Sequence, residues 1–242
     1  IIANRLGTRA QATIAGCVLA LTVEFFRRTR EISLDIWQLA FMLGAVCVVV
    51  GAFRARGRKV TLRRAAGAGA LVGCALLCKP LVALLVPVIV GVWLATQRLP
   101  WARSVIVMML TAIAVAAPWH VVMAYEYSDA FTHRYFVGEV AERALSGDAL
   151  DHAKNVHGRI PPWFYLEQIL RTYWPWTALF VLALVALARR ELGECSRRAA
   201  VLALLWFGAW LVLLSVFPDR RPRYAVTLWP AMAWMVSLAL TT

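Results

Sequence analysis

Residues 65–96 read AAGAGALVGCALLCKPLVALLVPVIVGVWLAT. Lys79 is the single charge in this run, and Pro80 follows it directly. A membrane-spanning helix needs ~20 apolar residues at a rise of ~1.5 Å each. The run is therefore too long for one upright crossing. Pro80 removes a backbone donor and disfavours helix at the residue before it. Two readings follow. Either one kinked, tilted helix crosses once, or two short helices go out and come back. The halves 65–79 and 80–96 would each be about 22–26 Å long, short of a hydrocarbon core of ~30 Å. Short helices are tolerated where neighbours or a cavity cover their ends. Lys79 is accordingly expected to look into a pocket below the membrane surface.

The rest of the chain fits the same solvent. Of 242 residues, 62% are apolar and 16% charged, and the mean hydropathy is +0.68. A soluble domain is less apolar and more charged than this. Soluble globules, disordered chains, disulfide scaffolds and collagen-like rods are excluded on composition. Further apolar runs fall at about 8–26, 35–53, 104–124, 166–188, 199–217 and 224–240. The net charge of +13 sits in short clusters between these runs. That is the layout of a polytopic membrane protein and not of a nucleic-acid binder. The 11 Trp fit aromatic belts at the interfaces. The expected fold class is all-α: a polytopic transmembrane bundle of about eight helices, forming a single domain over 1–242.

Charge separates the two readings of 65–96. With a hairpin there, the short loops 1–7 (with Arg9), 54–64, 97–103 and 189–198 share a side and hold 14 Lys/Arg. The loops 27–34 and 218–223 on the other side hold 6. With one crossing the split is 11 against 9. The positive-inside bias therefore favours the hairpin, with both ends cytoplasmic and Lys79 at the outer apex. The long loop 125–165 then lies outside, with six carboxylates against four basic residues. Its mixture of aromatic, His and Pro residues suggests a folded cap, with Leu145-Ser146-Gly147-Asp148 as its best turn signal. The expected location is the inner (plasma) membrane, multi-pass. The chain opens on Ile1 with no signal-peptide pattern, and it is expected to be an internal piece of a longer protein.

Two outer loops run against the charge bias: Arg27-Arg28-Thr29-Arg30-Glu31, and Asp219-Arg220-Arg221-Pro222-Arg223. Arginine suits phosphate because its planar fork gives two parallel donors, and lysine supplies a point charge. Arg28, Arg30, Lys79, Arg220, Arg221 and Arg223 together suggest a site for an anionic lipid head such as a polyprenyl phosphate. The plainer alternative for the two Arg loops is pairing with ordinary lipid phosphates. Lys79 resists that alternative, because an intramembrane charge is a functional hypothesis by default. It needs a partner, and Asp35 and Glu24 are the nearby carboxylates. Asp35 opens an apolar helix, so it either caps that helix or acts on an acceptor hydroxyl. The aromatic residues of 157–165 and 173–176 read as interfacial belt residues, with His157 a possible sugar or phosphate contact. His133, His152 and His157 share a loop without metal-ligand spacing. Cys17, Cys47, Cys74, Cys78 and Cys195 contain no CxxC pair, and Cys74 and Cys78 read as packing residues.

In this order the residues resemble membrane glycosyltransferases of the GT-C type. The nearest groups are bacterial protein O-mannosyltransferase-like enzymes and the aminoarabinose transferases that modify lipid A. The matching stretches are Ser33-Leu34-Asp35, Gly73 to Pro80 with Pro87, Pro118-Trp119, His157 to Tyr165, Pro175-Trp176, Arg223-Tyr224 and Pro230-Ala231. The resemblance implies a polyprenyl-phosphate-linked sugar donor and an inverting transfer on the outer side. The acceptor would be a lipid, glycan or protein. The family's leading acidic residue would precede Ile1. Asp35 would be its second acidic position and the catalytic residue here. Lys79 would be the basic residue ending the short helix, and Arg220 to Arg223 with Tyr224 the late loop near the donor phosphate. Gly138-Glu139-Val140-Ala141-Glu142-Arg143 lacks the His that the family often has there. No cofactor is expected, with a divalent metal the one open possibility.

The alternative function is a transporter or flippase for an anionic lipid or solute. It accounts for the break at Lys79-Pro80 but not for the long outer loop. A non-catalytic membrane scaffold is the third reading.

Overall fold

A computed structural model describes residues 7–31, 33–51, 60–79, 82–131, 161, 163–189, 192–217 and 220–241. Every regular element among them is helical: α1 (Arg9–Leu21), α2 (Val23–Arg30), α3 (Leu34–Val50), α4 (Leu62–Cys78), α5 (Leu85–Thr96, after a 3-10 turn at Val82–Leu84), α6 (Ala102–Phe131), α7 (Phe164–Thr172), α8 (Trp176–Ala188), α9 (Glu194–Val216), a 3-10 strap (Pro222–Thr227) and α10 (Trp229–Ala239). The polytopic all-α expectation holds. By length and composition α9 and the stretch Ala102–Ser128 of α6 can each cross a membrane, and up to four spans result if each bent pair counts as one. Shorter apolar helices at Leu34–Val50 and Val82–Thr96 add to them.

The direction of the helices resolves the long apolar run. Gly69 abuts Met108 and Thr111, and Gly73 abuts Ala112 and Val115. Residue numbers rise together along both helices, so α4 and α6 are parallel neighbours. Only α5 lies between them in sequence, so α5 must carry the chain back. Gly91 of α5 meets Val105 near the turn into α6, as a return helix requires. On the other flank Gly44 faces Leu71 and Gly67 faces Val48, so α3 runs antiparallel to α4. The run 65–96 is thus a hairpin. Helix α4 starts three residues earlier than the apolar run, because the Thr61 hydroxyl accepts from the Arg64 amide at 3.4 Å and caps it.

Two other runs are not single rods. The run 8–26 bends by 74° between α1 and α2. Thr22 sits at the break in an extended conformation, its hydroxyl donating to the Val18 carbonyl at 2.7 Å. Beyond it the sequence turns polar and amphipathic, which suits a helix lying along an interface. The run 166–188 bends by 112° between α7 and α8, where Pro175 cannot supply the N–H a continuous helix needs.

The middle of the bundle is α10, packed on α1, α8 and α9. Residues from Trp229 to Leu238 are buried apart from Pro230, as expected for a helix apolar all round. By contrast α6 leaves Ile106, Leu110, Ile113, Val121 and Val122 exposed, a surface suited to lipid. The chain is a multi-pass membrane protein.

The loops gather at two ends. At one end, Gln11 Nε2 donates to Thr241 Oγ1 at 3.0 Å, and Trp93 Nε1 to the Arg198 carbonyl at 3.0 Å. At the other end lie the start of α3, the end of α4, the strap and α7. The described parts of loops 97–103 and 189–198 thus fall toward the first end, and those of 27–34 and 218–223 toward the second.

Candidate functional site

The site is built on the first turn of α3. Ser33 caps this helix, its hydroxyl accepting from the Asp35 amide at 3.2 Å. Asp35 is therefore not the cap, contrary to one expectation from the sequence; it stands in the first turn, where the helix dipole favours a carboxylate. Its side chain is 13% exposed. One carboxylate oxygen, Oδ1, receives the Lys79 ammonium. The other, Oδ2, accepts from the Ser33 hydroxyl at 3.2 Å and faces Arg223 Nε at 3.9 Å.

Lys79 arrives from the end of α4. It leaves the helix in an extended conformation, φ −149° and ψ 130°, with its N–H still bonded to the Ala75 carbonyl at 3.1 Å. Of the two carboxylates that could balance it, Asp35 does so. Glu24 is engaged elsewhere, 2.8 Å from Arg28 Nε.

The strap supplies the remaining groups. The Tyr224 ring lies 4.8 Å from the Lys79 ammonium and 5.3 Å from the Arg223 guanidinium carbon. Both are within cation–π range. The strap is held by Tyr165, whose hydroxyl donates to the Arg221 carbonyl at 3.3 Å and accepts from the Arg221 amide at 3.2 Å. Arg220 is tied to the end of α9 by a bond from Nη2 to the Ser215 carbonyl at 2.7 Å. Arg223 Nε is buried and makes no hydrogen bond.

Among the described residues the cluster thus holds two cations against one carboxylate, and the buried Arg223 Nε faces that carboxylate at 3.9 Å without a hydrogen bond. A buried donor without a partner is costly, and an incoming anion would satisfy it. The same composition is a poor cradle for a divalent cation, which needs several oxygen ligands and no competing positive charge. Among the described residues no three His, Cys, Asp or Glu side chains converge.

Not every expected residue joins the cluster. Arg28 bonds Glu24 at 2.8 Å and Glu31 at 2.9 Å within α2, so its charge is matched locally. Arg30 is exposed and stacks on Phe26 at 5.7 Å. Both stay on α2, which packs beside the strap. Arg221 contributes its backbone to the Tyr165 contact. His157, with His133, His152 and most of the 125–165 loop, lies outside the described residues, as do Pro80 and Asp219. Tyr165 and Tyr173, expected in an interfacial belt, are fully buried, whereas Trp163 and Trp174 are exposed as a belt requires.

Sequence reasoning missed Gln38. It lies one turn beyond Asp35 on the same face of α3, is 4% exposed, and donates from Nε2 to the Ala75 and Lys79 carbonyls at 3.3 and 3.0 Å. The signal was present: a lone amide within an otherwise apolar helix has to find a partner.

Fold and site together define a class: a multi-pass helical membrane protein with a cationic cluster stacked on Tyr224 at one end. Residues 1–122, half of the chain, match the family described as dolichyl-phosphate-mannose-protein mannosyltransferase, and the chain belongs to that family of GT-C membrane glycosyltransferases. It is 30% identical over 159 residues to an undecaprenyl phosphate-alpha-4-amino-4-deoxy-L-arabinose arabinosyl transferase of Pseudomonas fluorescens, a match spanning 64% of this chain and 26% of that protein. To a second such transferase, from Proteus mirabilis, it is 25% identical over 172 residues, spanning 70% of this chain and 29% of that one. The chain therefore spans little more than a quarter of these relatives. The crystal structure of ArnT from Cupriavidus metallidurans bound to undecaprenyl phosphate superposes on 99% of this chain and 42% of its own, with a TM-score of 0.74 and 20% identity. That likeness establishes the fold.

Proposed function

We propose that this chain forms the donor-phosphate end of a glycosyltransferase that uses a polyprenyl-phosphate-linked sugar and works at the outer face of the inner membrane. The acceptor is a lipid, glycan or protein hydroxyl. One observation carries the reading: among the described residues Lys79 and Arg223 meet at the single carboxylate of Asp35, and Arg223 Nε, buried and 3.9 Å from that carboxylate, makes no hydrogen bond. Family membership and relatives named for undecaprenyl-phosphate-linked substrates support it.

The chemistry follows from the groups present. The acceptor oxygen attacks the anomeric carbon in line, and the bond from that carbon to the phosphate oxygen breaks with inversion. Charge develops on the departing phosphate. Lys79 and Arg223, aimed at that charge, stabilise it. Tyr224, stacked by both cations, keeps them together when the anion is absent. As the phosphate draws the Lys79 ammonium, the Asp35 carboxylate is released to orient an acceptor hydroxyl or take its proton. No resident metal or organic cofactor enters this scheme, since the excess positive charge already serves the leaving group.

The test separates binding from transfer. In the enzyme that contains this chain, Asp35→Asn is expected to bind undecaprenyl phosphate at least as tightly as the parent, since a competing negative charge is gone. Sugar transfer should fall by ~100-fold or more, the range for loss of a general base. Full transfer by Asp35→Asn would refute its catalytic role.

A further inference from the structure

The end of α4 is an awkward place for backbone. The last carbonyls of any helix lack intrahelical donors, and here the next residue in sequence, Pro80, has no N–H to give. In apolar surroundings an unsatisfied carbonyl is costly. Gln38 supplies part of what is missing: its Nε2 donates to the Lys79 carbonyl at 3.0 Å, just past the last turn, and adds a second donor at 3.3 Å to the Ala75 carbonyl, which already accepts from the Lys79 amide at 3.1 Å. The amide orientation is dictated by this contact, since the reversed amide would set oxygen against two oxygens.

Asp35 and Gln38 therefore hold Lys79 from opposite ends. The carboxylate takes the ammonium, and the amide pins the backbone carbonyl. The two holds differ in one respect. A phosphate that draws the ammonium displaces the carboxylate, but the contact to the backbone is untouched. We propose that Gln38 is the positioning residue of the anion site: it fixes where Lys79 leaves α4, and hence where the ammonium stands when the lipid phosphate arrives. This rests on the donor-phosphate reading above and adds the residue that keeps the site in place once the ion pair opens.

The experiment is a double-mutant cycle on undecaprenyl phosphate affinity, measured on the detergent-solubilised enzyme that contains this chain, with melting temperature alongside. The variants are Gln38→Met, Lys79→Met and the pair. Gln38→Met keeps the length and removes the donors. With Lys79 present it should weaken binding about threefold to tenfold, the range for hydrogen bonds of this kind. With Lys79→Met in place it should change affinity less than twofold. Gln38→His, which retains a ring N–H at similar reach, should restore part of the loss. If Gln38→Met does not fold, Gln38→Asn replaces it, because its shorter amide withdraws from both carbonyls. Equal weakening in both backgrounds, or unchanged binding with Lys79 present, would overturn the assignment. If Lys79→Met alone binds as tightly as the parent, the donor-phosphate reading itself falls, and that result is visible without touching Gln38.

Discussion

Replacing Gly69 by alanine tests the helix seam on which Lys79 is carried. A methyl at this position would stand 2.5 Å from the Met108 carbonyl oxygen and 2.8 Å from Thr111 Cβ, with Met108 Cα at 2.9 Å. Two of these are backbone atoms, which cannot swing aside. At Gly73 a methyl would meet Val115 Cβ at 2.6 Å and the Ala112 oxygen at 2.9 Å. Gly69 and Gly73 form the small-xxx-small pattern by which membrane helices approach closely. Ordinary van der Waals contact begins at 3.4 Å, so α4 and α6 must separate by about 1 Å. A gap of that size forfeits a quarter to a half of each lining contact, and overpacking of this kind costs about 1–3 kcal/mol. At roughly 2–4 °C per kcal/mol for a chain of this size, melting should fall by roughly 2–12 °C. Two controls share the chemistry but not the contact. A methyl at Gly67 finds Val48 Cγ1 no closer than 3.9 Å, and one at Gly16 finds nothing within 4 Å. Those alanines should be neutral or gain up to ~1 kcal/mol from helix propensity. The assay is thermal unfolding in one detergent at one scan rate, so that the order of the four variants carries the result. Gly69→Ala and Gly73→Ala melting with the parent would refute the parallel α4–α6 seam, and with it the case for α5 as a return crossing.

Two further outcomes are expected. Single cysteines at Ser33 and Ser196, in a background without the five native cysteines, should react from opposite sides with an impermeant thiol reagent, Ser33 from outside; outside labelling at position 196 would overturn the eight-crossing topology. Lys79→Arg should keep only part of the affinity for undecaprenyl phosphate, since a planar fork does not occupy the place of a point charge between Asp35 and Tyr224; full affinity would show that any cation suffices.

Much of this arrangement is legible in the residues, for physical reasons that can be named. Lys79-Pro80 marks the hairpin because an intramembrane charge followed at once by a proline stands halfway along a run too long for one crossing. Asp35 is found because few carboxylates stand near that end. The break at Thr22 is hidden, since Leu21 and Val23 flank it and no hydropathy average registers an extended residue between two apolar ones. Pro175 did announce the bend of α7 and α8, but its apolar surroundings read as one run. The separation of Arg28 from the Lys79 cluster was also written in the sequence, with Glu24 four residues before it and Glu31 three after, the spacing at which helical side chains meet. Composition cannot tell a buried Tyr165 from a belt tyrosine. Only the fold brings its hydroxyl to the Arg221 backbone, 56 residues away.

The central claim is that Lys79 receives a lipid phosphate, and Lys79→Met measures it directly. Asp35 already has Arg223 at 3.9 Å as a second cation, so the fold should survive and the melting temperature should stay close to that of the parent. Loss of a charge-assisted contact of ~1.5–3 kcal/mol corresponds to a roughly tenfold to hundredfold weaker dissociation constant for undecaprenyl phosphate. The account predicts that loss with melting unchanged. A variant that melts early yet binds undecaprenyl phosphate as the parent does would make Lys79 a structural partner of Asp35 and contradict the phosphate site.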